Sequence, residues 1–313
     1  METYNYKKIF EIFKNLSSEI EFCKISEIDE FVENKKKAIF LKHDIHGVNL
    51  ENLLKLSEHE IKLSIRGTYY FMPLNDPLTK KFYSVRQQIS TMLELQKMGH
   101  EIGLHFNPEF QLTKKNKDFI LSDYFKLCLD EFRSEGLIVN SFNLHGDTHL
   151  KRKDKNNYNI AFEFFSEIAR HQDFPEYKNI NEADKKVILQ NRFSINNYNI
   201  NFCGDYPVWS RQNKFITTNF FSDNLLSKKK TIKLLIRKET YNSFLLSSNQ
   251  PPGSKNLSKE KKIIKTDISN QDENYQDIIE NHDFEFGKDN KKIYQLLRSC
   301  GSFTMLIHPQ FYL

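Results

Sequence analysis

The sequence predicts an α/β protein, in which short strands alternate with amphipathic helices along most of the chain. Two observations lead to this prediction. Apolar segments of strand length, such as 37–41 and 303–307, are separated by stretches with apolar residues at helical spacing. In addition, four histidines stand where a predicted strand runs out into a loop. Because parallel strands gather their carboxyl ends at one mouth, we expect these histidines to meet there: His46, His105, His145 and His308.

The alternation is clearest in the first half of the chain. Residues 5–34 read as helical, and 37–41 form a buried-type strand that ends at His43 and Asp44. Asn49 is placed to cap the next helix, because its side chain can accept a hydrogen bond from the first turn. Further strands are predicted over 62–72, 101–105 and 137–144, and further helices over about 84–98 and 117–134, which end near Gly99 and Gly136.

The second half is less regular. The composition of residues 244–276 shifts to Ser, Asn, Gln and Lys, which indicates an exposed insertion. The elements predicted around it are a helix over 158–171, a strand over 215–221, a helix over about 291–298 and a strand over 303–307. We therefore expect two parts: an N-terminal helical extension over 1–35, and one α/β domain over 36–313 that this insertion interrupts.

The composition narrows the function classes. Hydrophobic residues make up 39% and charged residues 28% of the chain, values typical of a globular protein rather than a disordered or membrane-spanning one. A net charge of +5 does not argue for nucleic-acid binding. The N-terminus lacks the apolar stretch of a signal peptide, and the four cysteines show no paired spacing, so we expect a cytoplasmic protein in a reducing compartment.

Asp44 and His46 offer both ligand types that divalent transition metals favour, and residues two apart on a strand point the same way. A metal lowers the pKa of bound water and stabilises an oxyanion, while a nearby carboxylate can take the proton. His308, at the end of the last predicted strand, could then protonate the leaving group, because an imidazole titrates near neutrality. This combination indicates hydrolysis of an amide or an ester.

Several stretches together resemble the polysaccharide deacetylase family, the carbohydrate esterases with a NodB-homology domain. Residues 41–46 (Leu-Lys-His-Asp-Ile-His) are similar to the family's first acidic motif in the branch that writes it Arg-His-Asp-Val-Asp. Residues 99–105 (Gly-His-Glu-Ile-Gly-Leu-His) are similar to its Gly-His-Glu-Ile-Gly-x-His motif, and 306–309 (Leu-Ile-His-Pro) to its terminal Leu-x-His. Residues 220–223 (Phe-Phe-Ser-Asp) resemble a Tyr-Ile-Ser-Asp element of that branch. The resemblance covers about 40–150 and 215–313, in the family's order.

The resemblance implies a distorted, incomplete (β/α) barrel with insertions. It also implies metal-dependent removal of an acetyl group, usually the N-acetyl group of an amino sugar, with a divalent ion that we expect to be zinc. Carried over by position, Asp44 becomes the general base, His46 and His105 become metal ligands, and His308 becomes the general acid. The implied partner is a glycan or small-molecule substrate, whereas the oligomeric state is not specified.

Two departures from the family pattern affect the metal site. His46 stands where the first motif has a second Asp, so it can bind a metal but adds no negative charge. Glu109 stands where the second motif has another His. The third ligand is therefore either Glu109 or His145, of which we favour His145, and Asp44 could also bind the metal directly.

Other polar residues have simpler interpretations. His43 is expected to point away from Asp44 and to support the site from behind, His100 to be structural, and Asp223 either to contact substrate or to form a turn. Two alternatives to a sugar deacetylase stay open: a catalytically silent carbohydrate-binding protein of the same fold, favoured by the departures at His46 and Glu109, and a hydrolase of a non-sugar amide.

Overall fold

The computed structural model describes residues 7–76, 81–82, 85–108, 120–145, 160–169, 181–205, 208–216, 219–224, 231–237, 279–285, 290–299 and 302–309. The expected insertion over 244–276 and Glu109 lie outside these residues. None of the helices within them combines the length and the apolar character needed to span a bilayer.

The first half of the chain alternates strands and helices, as predicted. Its elements are α1 (Lys7–Ser17), β1 (Glu21–Cys23), a 3₁₀ turn (Ile25–Glu27), α2 (Ile28–Glu33), β2 (Ala38–Ile45), α3 (Leu50–Lys62), β3 (Thr68–Phe71), β4 (Asn75–Asp76), β5 (Lys81–Phe82), α4 (Val85–Lys97), β6 (Glu101–Phe106), α5 (Leu121–Ser134) and β7 (Ser141–Leu144). The Asn49 side chain accepts a hydrogen bond from Asn52 N at 3.0 Å, which confirms the predicted cap of α3.

The second half supplies shorter strands. Its elements are a 3₁₀ segment (Ile160–Phe164), α6 (Glu182–Gln190), a 3₁₀ turn (Asn196–Tyr198), β8 (Phe202–Cys203), β9 (Val208–Ser210), β10 (Lys214–Ile216), β11 (Asn219–Asn224), β12 (Thr231–Arg237), β13 (Ile279–Glu285), α7 (Asn290–Ser299) and β14 (Phe303–Ile307). The strand predicted over 303–307 and the helix predicted over 291–298 are therefore confirmed. The helix predicted over 158–171 is wrong in type, because the helical part of the described residues 160–169 is the 3₁₀ segment Ile160–Phe164.

One mixed sheet organises the described residues. Seven of its strands run parallel in the order β8-β7-β6-β3-β2-β14-β11, and an eighth, β1, pairs in parallel with β2 off this path. Antiparallel strands extend both ends, β9 and β10 beyond β8, and β12 and β13 beyond β11. Since β14 lies between β2 and β11, the last described strand brings the C-terminal part of the chain beside the first long strand.

The sheet is curled, so that strands far apart in its order face each other. Phe40 of β2 and Tyr70 of β3 share one buried cluster with Phe202 of β8 and Val208 of β9. In the same interior, Lys42 Nζ lies 3.5 Å from Asp205 Oδ1, at the end of β8. This curled, mainly parallel sheet is consistent with a distorted partial barrel.

The helices cover the outer face of the curled sheet. Along β2 the odd-numbered residues, from Ile39 to Ile45, face outward, and the even-numbered ones, Phe40, Lys42 and Asp44, face the interior, because successive side chains on a strand alternate. Apolar residues of α1 and α7 pack on β2, β11 and β14, and those of α3, α4 and α5 pack on β3, β6 and β7. The strands β2, β3, β6, β7 and β14 therefore contribute an apolar outer side to the core.

The continuous helix predicted over 5–34 is wrong in its middle, where β1 joins the sheet. Phe22 packs in the outer cluster and Cys23 in the interior cluster, which is the alternation of a strand. β1 pairs with the first residues of β2, while β3 pairs with the later ones, so β1 and β3 lie one after the other along the same edge of β2. The strand predicted over 62–72 is too long at its start. The backbone turns after α3 through Ser64 at φ 59°, so β3 starts only at Thr68.

Residues 21–33, which we call the floor segment, close the amino-terminal end of the barrel. The backbone N–H of Ile25 donates to Thr68 Oγ1 at 2.9 Å, and that of Ser26 donates to Glu101 Oε2 at 3.0 Å, at the first residues of β3 and β6. Apolar side chains of α2 fill the interior cluster beneath Phe40. The opposite, carboxyl-terminal end is left for polar groups.

Tyr70 separates the apolar floor from that polar end. An added Cβ at Gly103 would lie 2.3 Å from Tyr70 Cε1, and one at Gly204 would lie 2.1 Å from Tyr70 Oη. Both glycines are required by this ring, because real Cβ contacts are not that short. The tyrosine thus crosses the interior from β3 toward β8, and Asp44 is its register partner on β2.

Candidate metal centre

Four strands of the curled sheet deliver their histidines to one place. His105 lies within β6, while His46, His145 and His308 follow β2, β7 and β14. The ring centroid of His46 is 4.8 Å from that of His105, 5.0 Å from that of His145 and 6.1 Å from that of His308. The structure therefore brings together all four histidines that the sequence analysis selected. Gly47 follows at φ 57°, a left-handed conformation that glycine adopts readily and that turns the chain away after His46.

Three of these imidazoles could hold a metal ion. The ligand atoms of His46, His105 and His145 all lie within 4.8 Å of one another. His46 Nε2 and His105 Nε2 are 3.2 Å apart. Two nitrogens bound to one tetrahedral zinc ion, each at about 2.0–2.1 Å, would be separated by roughly 3.4 Å. The spacing of this pair therefore fits a shared ion without rearrangement.

Asn143 joins one of these imidazoles to Asp44. Its Oδ1 lies 2.5 Å from His105 Nδ1, and its Nδ2 donates to Asp44 Oδ1 at 2.5 Å. All three side chains are buried. Burial lowers the pKa of His105 to about 3, against the opposing charge of Asp44. His105 is thus neutral near pH 7, the state that a metal ligand requires.

Asp44 is buried beside several positive or potentially positive groups. Burial raises the pKa of this carboxyl, but the charge of Lys42 and the nearby imidazoles of His105 and His308 lower it more, so the pKa lies well below its usual range. Asp44 also forms a second group with His46 and His308 whose ligand atoms lie within 4.8 Å of one another. The carboxylate is therefore ionised and close to the three-histidine group, in a position compatible with either a base or a ligand.

Lys42 and Asp205 lie beneath Asp44, and sequence reasoning gave them no role. The Lys42 side chain is 2% exposed, and its Nζ lies 3.5 Å from Asp205 Oδ1. Asp205 Oδ2 also accepts the backbone N–H of Leu144 at 2.6 Å. Burial raises the pKa of Asp205, and Lys42 opposes that change. A signal existed in the sequence, because a lysine two residues before Asp44 on an apolar strand faces the same side.

His308 is held by Asp223 on the neighbouring strand β11. The backbone N–H of His308 donates to Asp223 Oδ2 at 2.7 Å, and its Nδ1 lies 2.5 Å from Asp223 Oδ1. Burial lowers the pKa of His308, but the hydrogen bond and charge of Asp223 raise it more, so the net shift is upward. Of the two interpretations of Asp223, substrate contact or turn, neither describes this contact, since Asp223 lies within a strand and orients His308.

His145, like His46, is less enclosed than His105. It is partly exposed, its backbone N–H donates to Phe106 O at 2.8 Å, and its Nδ1 lies 3.3 Å from Asn107 Nδ2. Sequence reasoning missed Asn107, which follows β6 directly. The competing ligand Glu109 lies outside the described residues, so the preference for His145 over it stays a prediction.

His43 and His100 lie on the outer face of the sheet, under α3. His43 Nε2 is 3.0 Å from Glu60 Oε1, and Tyr69 Oη donates to Glu60 Oε2 at 2.7 Å. His100 Nδ1 accepts the backbone N–H of Gly67 at 3.2 Å. His43 points away from Asp44, as alternation predicts, and belongs to this outer cluster of His43, Glu60, Tyr69 and His100.

Comparisons with family models, with curated proteins and with solved structures return no match. The family resemblance of this chain therefore remains that of its short motifs, and the chemistry of the centre has to be argued from its residues.

Proposed function

We propose that this protein is a metal-dependent hydrolase that removes an acetyl group from an N-acetylated sugar or glycan precursor. The observation that carries the proposal is the convergence of His46, His105 and His145, from three different strands, next to the ionised Asp44 and the His308–Asp223 pair. With ligand atoms all within 4.8 Å of one another, these three histidines form a group that could hold a metal ion.

The donor set favours zinc among divalent ions. Three imidazole nitrogens are ligands that suit zinc, and three protein ligands leave a fourth position for water or substrate. A zinc ligand has to be a neutral imidazole, which His105 is near pH 7. The 3.2 Å between its Nε2 and that of His46 also fits two nitrogens bound to one zinc ion. A bound zinc ion would lower the pKa of a water molecule and would stabilise negative charge on the carbonyl oxygen of the substrate.

Asp44 is suited to take the proton of the attacking water. Its carboxylate is ionised near neutral pH, and its Oδ1 is held by Asn143 Nδ2, so it accepts a proton in a fixed position. The buried charge of Lys42 keeps this carboxylate ionised inside the barrel. Asn143 thus orients the base, and Lys42 keeps it ionised.

His308 is suited to protonate the leaving nitrogen. Asp223 raises its pKa, so a larger fraction of His308 carries a proton near pH 7 than of an unassisted imidazole. Its stacking on His46, with centroids 6.1 Å apart and planes at 19°, puts it at the same mouth as the three-histidine group. Base and acid are thereby separate residues on neighbouring strands, so that one can take a proton while the other donates one.

The choice of an acetyl group on a sugar comes from the motif resemblance. The structure contributes access: His46, His145 and His308 are each partly exposed, whereas His105 and Asp44 beneath them are buried. A substrate carbonyl can therefore approach the group from the side of the partly exposed histidines.

Two measurements test the proposal. Metal analysis of the full chain, purified without chelators, should find about one zinc per chain, and acetate release from a panel of N-acetylated sugars should stop on chelation. A His46→Ala variant should lose both, while His59→Ala, which alters an exposed histidine on α3, should lose neither. A chain that holds no stoichiometric metal and releases no acetate would instead be a silent carbohydrate-binding protein. Turnover confined to non-sugar amides in the same panel would correct the substrate.

A further inference from the structure

The amide of Asn143 can have only one orientation between its two partners. Asn143 Nδ2 lies 2.5 Å from Asp44 Oδ1, and an NH₂ group donates hydrogen bonds while a carboxylate oxygen accepts them, so this atom of the amide is the NH₂ group. The carbonyl oxygen of the same amide therefore faces His105 Nδ1 at 2.5 Å. A carbonyl oxygen only accepts hydrogen bonds, so this contact requires a proton on Nδ1.

The position of that proton determines what the other ring nitrogen can do. In a neutral imidazole only one nitrogen carries hydrogen. With Nδ1 protonated, His105 Nε2 keeps its lone pair, and it is this nitrogen that faces His46 Nε2 at 3.2 Å. The lone pair thus points at the place where the three imidazoles meet.

Register and burial hold the arrangement in place. Asn143 and His105 are direct partners across the β6–β7 ladder, so their side chains leave the sheet side by side. Asn143 is fully buried and His105 is 1% exposed, so water cannot readily replace either hydrogen bond. His145 differs, because its Nδ1 contacts another amide, the Nδ2 of Asn107, at 3.3 Å and is not joined to Asp44 through it.

We infer that Asn143 is a positioning residue, which uses the Asp44 carboxylate to preset His105 as the Nδ1–H tautomer with Nε2 ready to bind a metal ion. The inference rests on the proposed metal site, but not on hydrolysis or on any substrate. One buried amide thereby links the residue proposed as the base to a residue proposed as a ligand, so both are oriented before an ion arrives.

Nuclear magnetic resonance of the metal-free full chain with ¹⁵N-labelled histidine tests the inference directly. Two-bond correlations distinguish protonated from unprotonated ring nitrogens, and a His105→Gln variant identifies the relevant signals by their loss. At neutral pH we expect His105 to carry its proton on Nδ1. The same signals should change in Asn143→Leu, which keeps the size of the side chain but makes no hydrogen bond, and should stay unchanged in the matched control Asn140→Leu, which alters an exposed asparagine three residues earlier.

Zinc affinity supplies the second readout. Residues that orient a metal ligand typically contribute about 10–100-fold to affinity, so Asn143→Leu should weaken zinc binding by a factor in that range. A wild-type His105 protonated on Nε2, or an Asn143→Leu variant with unchanged zinc affinity, overturns the inference. The wild-type tautomer needs no substitution, so it decides even if Asn143→Leu fails to fold. A full chain that binds no zinc would sink the proposed function, while the tautomer would still show whether Asn143 sets His105.

Discussion

A histidine lies close to a buried carboxylate on each face of the sheet at β2, but the two clusters differ in their access to solvent. On the outer face, His43 meets Glu60 beneath α3, and both side chains are 0% exposed. On the inner face, Asp44 is buried but the neighbouring His46 and His308 are partly exposed. The outer cluster is sealed by packing, whereas the inner one opens at the end of the strands.

The difference shows which property separates a structural polar cluster from a candidate site. Both contain the same residue types, and both shift the pKa of a carboxyl downward against the effect of burial. Only the inner one aims ligand atoms from several strands at a shared point within reach of solvent. A candidate site is therefore distinguished by the direction of its ligand atoms and by their access to solvent, rather than by residue type or by a shifted pKa.

The largest expected effect is on the inner face. Asp44→Asn should lower kcat by about 10²–10⁴-fold, the usual contribution of a general base, because an amide cannot take the proton. Its oxygen can still accept the hydrogen bond from Asn143, but the lowered pKa of Asp44 means that the ionised carboxylate also stabilises the fold, so kcat has to be measured on the folded fraction. The comparison would break if acetate release by this variant equalled that of the wild type.

The outer face should respond in stability instead. Removing one partner of a buried pair costs about 3–5 kcal/mol, so we expect Glu60→Gln to lower the free energy of unfolding by roughly 3 kcal/mol while kcat of the folded fraction is kept. Urea unfolding and activity at low temperature measure the two quantities separately. A loss of kcat with unchanged stability would show that the outer cluster acts on the chemistry.

Acidification sharpens the same test. Burial raises the pKa of Glu60, but the contact with His43 and the hydrogen bond from Tyr69 lower it more, so the folded value lies below the unfolded one. The stability from this group is then fully present above its ordinary pKa of about 4.3, and it is lost as the pH falls through the lower folded value. The difference between wild type and Glu60→Gln should therefore shrink on acidification below that range.

Zinc should stabilise the folded chain only by binding the inner cluster of histidines. A ligand at 100 times its dissociation constant adds about 2.7 kcal/mol to the free energy of unfolding. The chelator-treated full chain should therefore unfold at a higher temperature after zinc is added, as should Glu60→Gln. His46→Ala should show no such rise, and a rise of equal size in that variant would place the metal elsewhere.

Asp223→Asn should have the smallest effect of the set, a reduction of about 10-fold in kcat at neutral pH, since one hydrogen bond and one charge to the proposed acid are lost. Asp223 raises the pKa of His308. The Asp223→Asn substitution should lower that pKa. Because the acid has to be protonated, the alkaline limb of the kcat profile should move to lower pH than in the wild type. A pH profile of kcat that keeps its alkaline limb in the same place would argue against His308 as the acid.

The sequence predicted the parts of this molecule that repeat a simple pattern. Alternation of strand and helix, and histidines at strand ends, led to the α/β class and to the four histidines because both follow from local periodicity. The break in the segment 5–34 was missed, since Phe22 and Cys23 alternate for too short a stretch to be distinguished from a helix. Strand starts such as Thr68 were missed because the preceding turn is set by tertiary packing.

Residues that support the site were harder to predict than those proposed to act in it. Asn143, Asp205 and Asn107 acquire their roles only through partners on other strands, at separations that no spacing rule covers. Lys42 was quoted within a motif, but its contact with Asp205 depends on the curl of the sheet. Sequence patterns thus indicate which groups reach the mouth, and the folded chain indicates what holds them there.

The floor segment has a practical consequence for any work on shortened versions of this chain. Residues 1–35 read as a detachable extension, yet 21–33 supply an edge partner for β2 and hydrogen bonds to the first residues of β3 and β6. A chain that starts at residue 36 would expose the apolar underside of the barrel and leave the buried Glu101 without one of its donors. Truncation at that boundary would therefore favour aggregation, and fusion partners are better attached ahead of α1 than substituted for it.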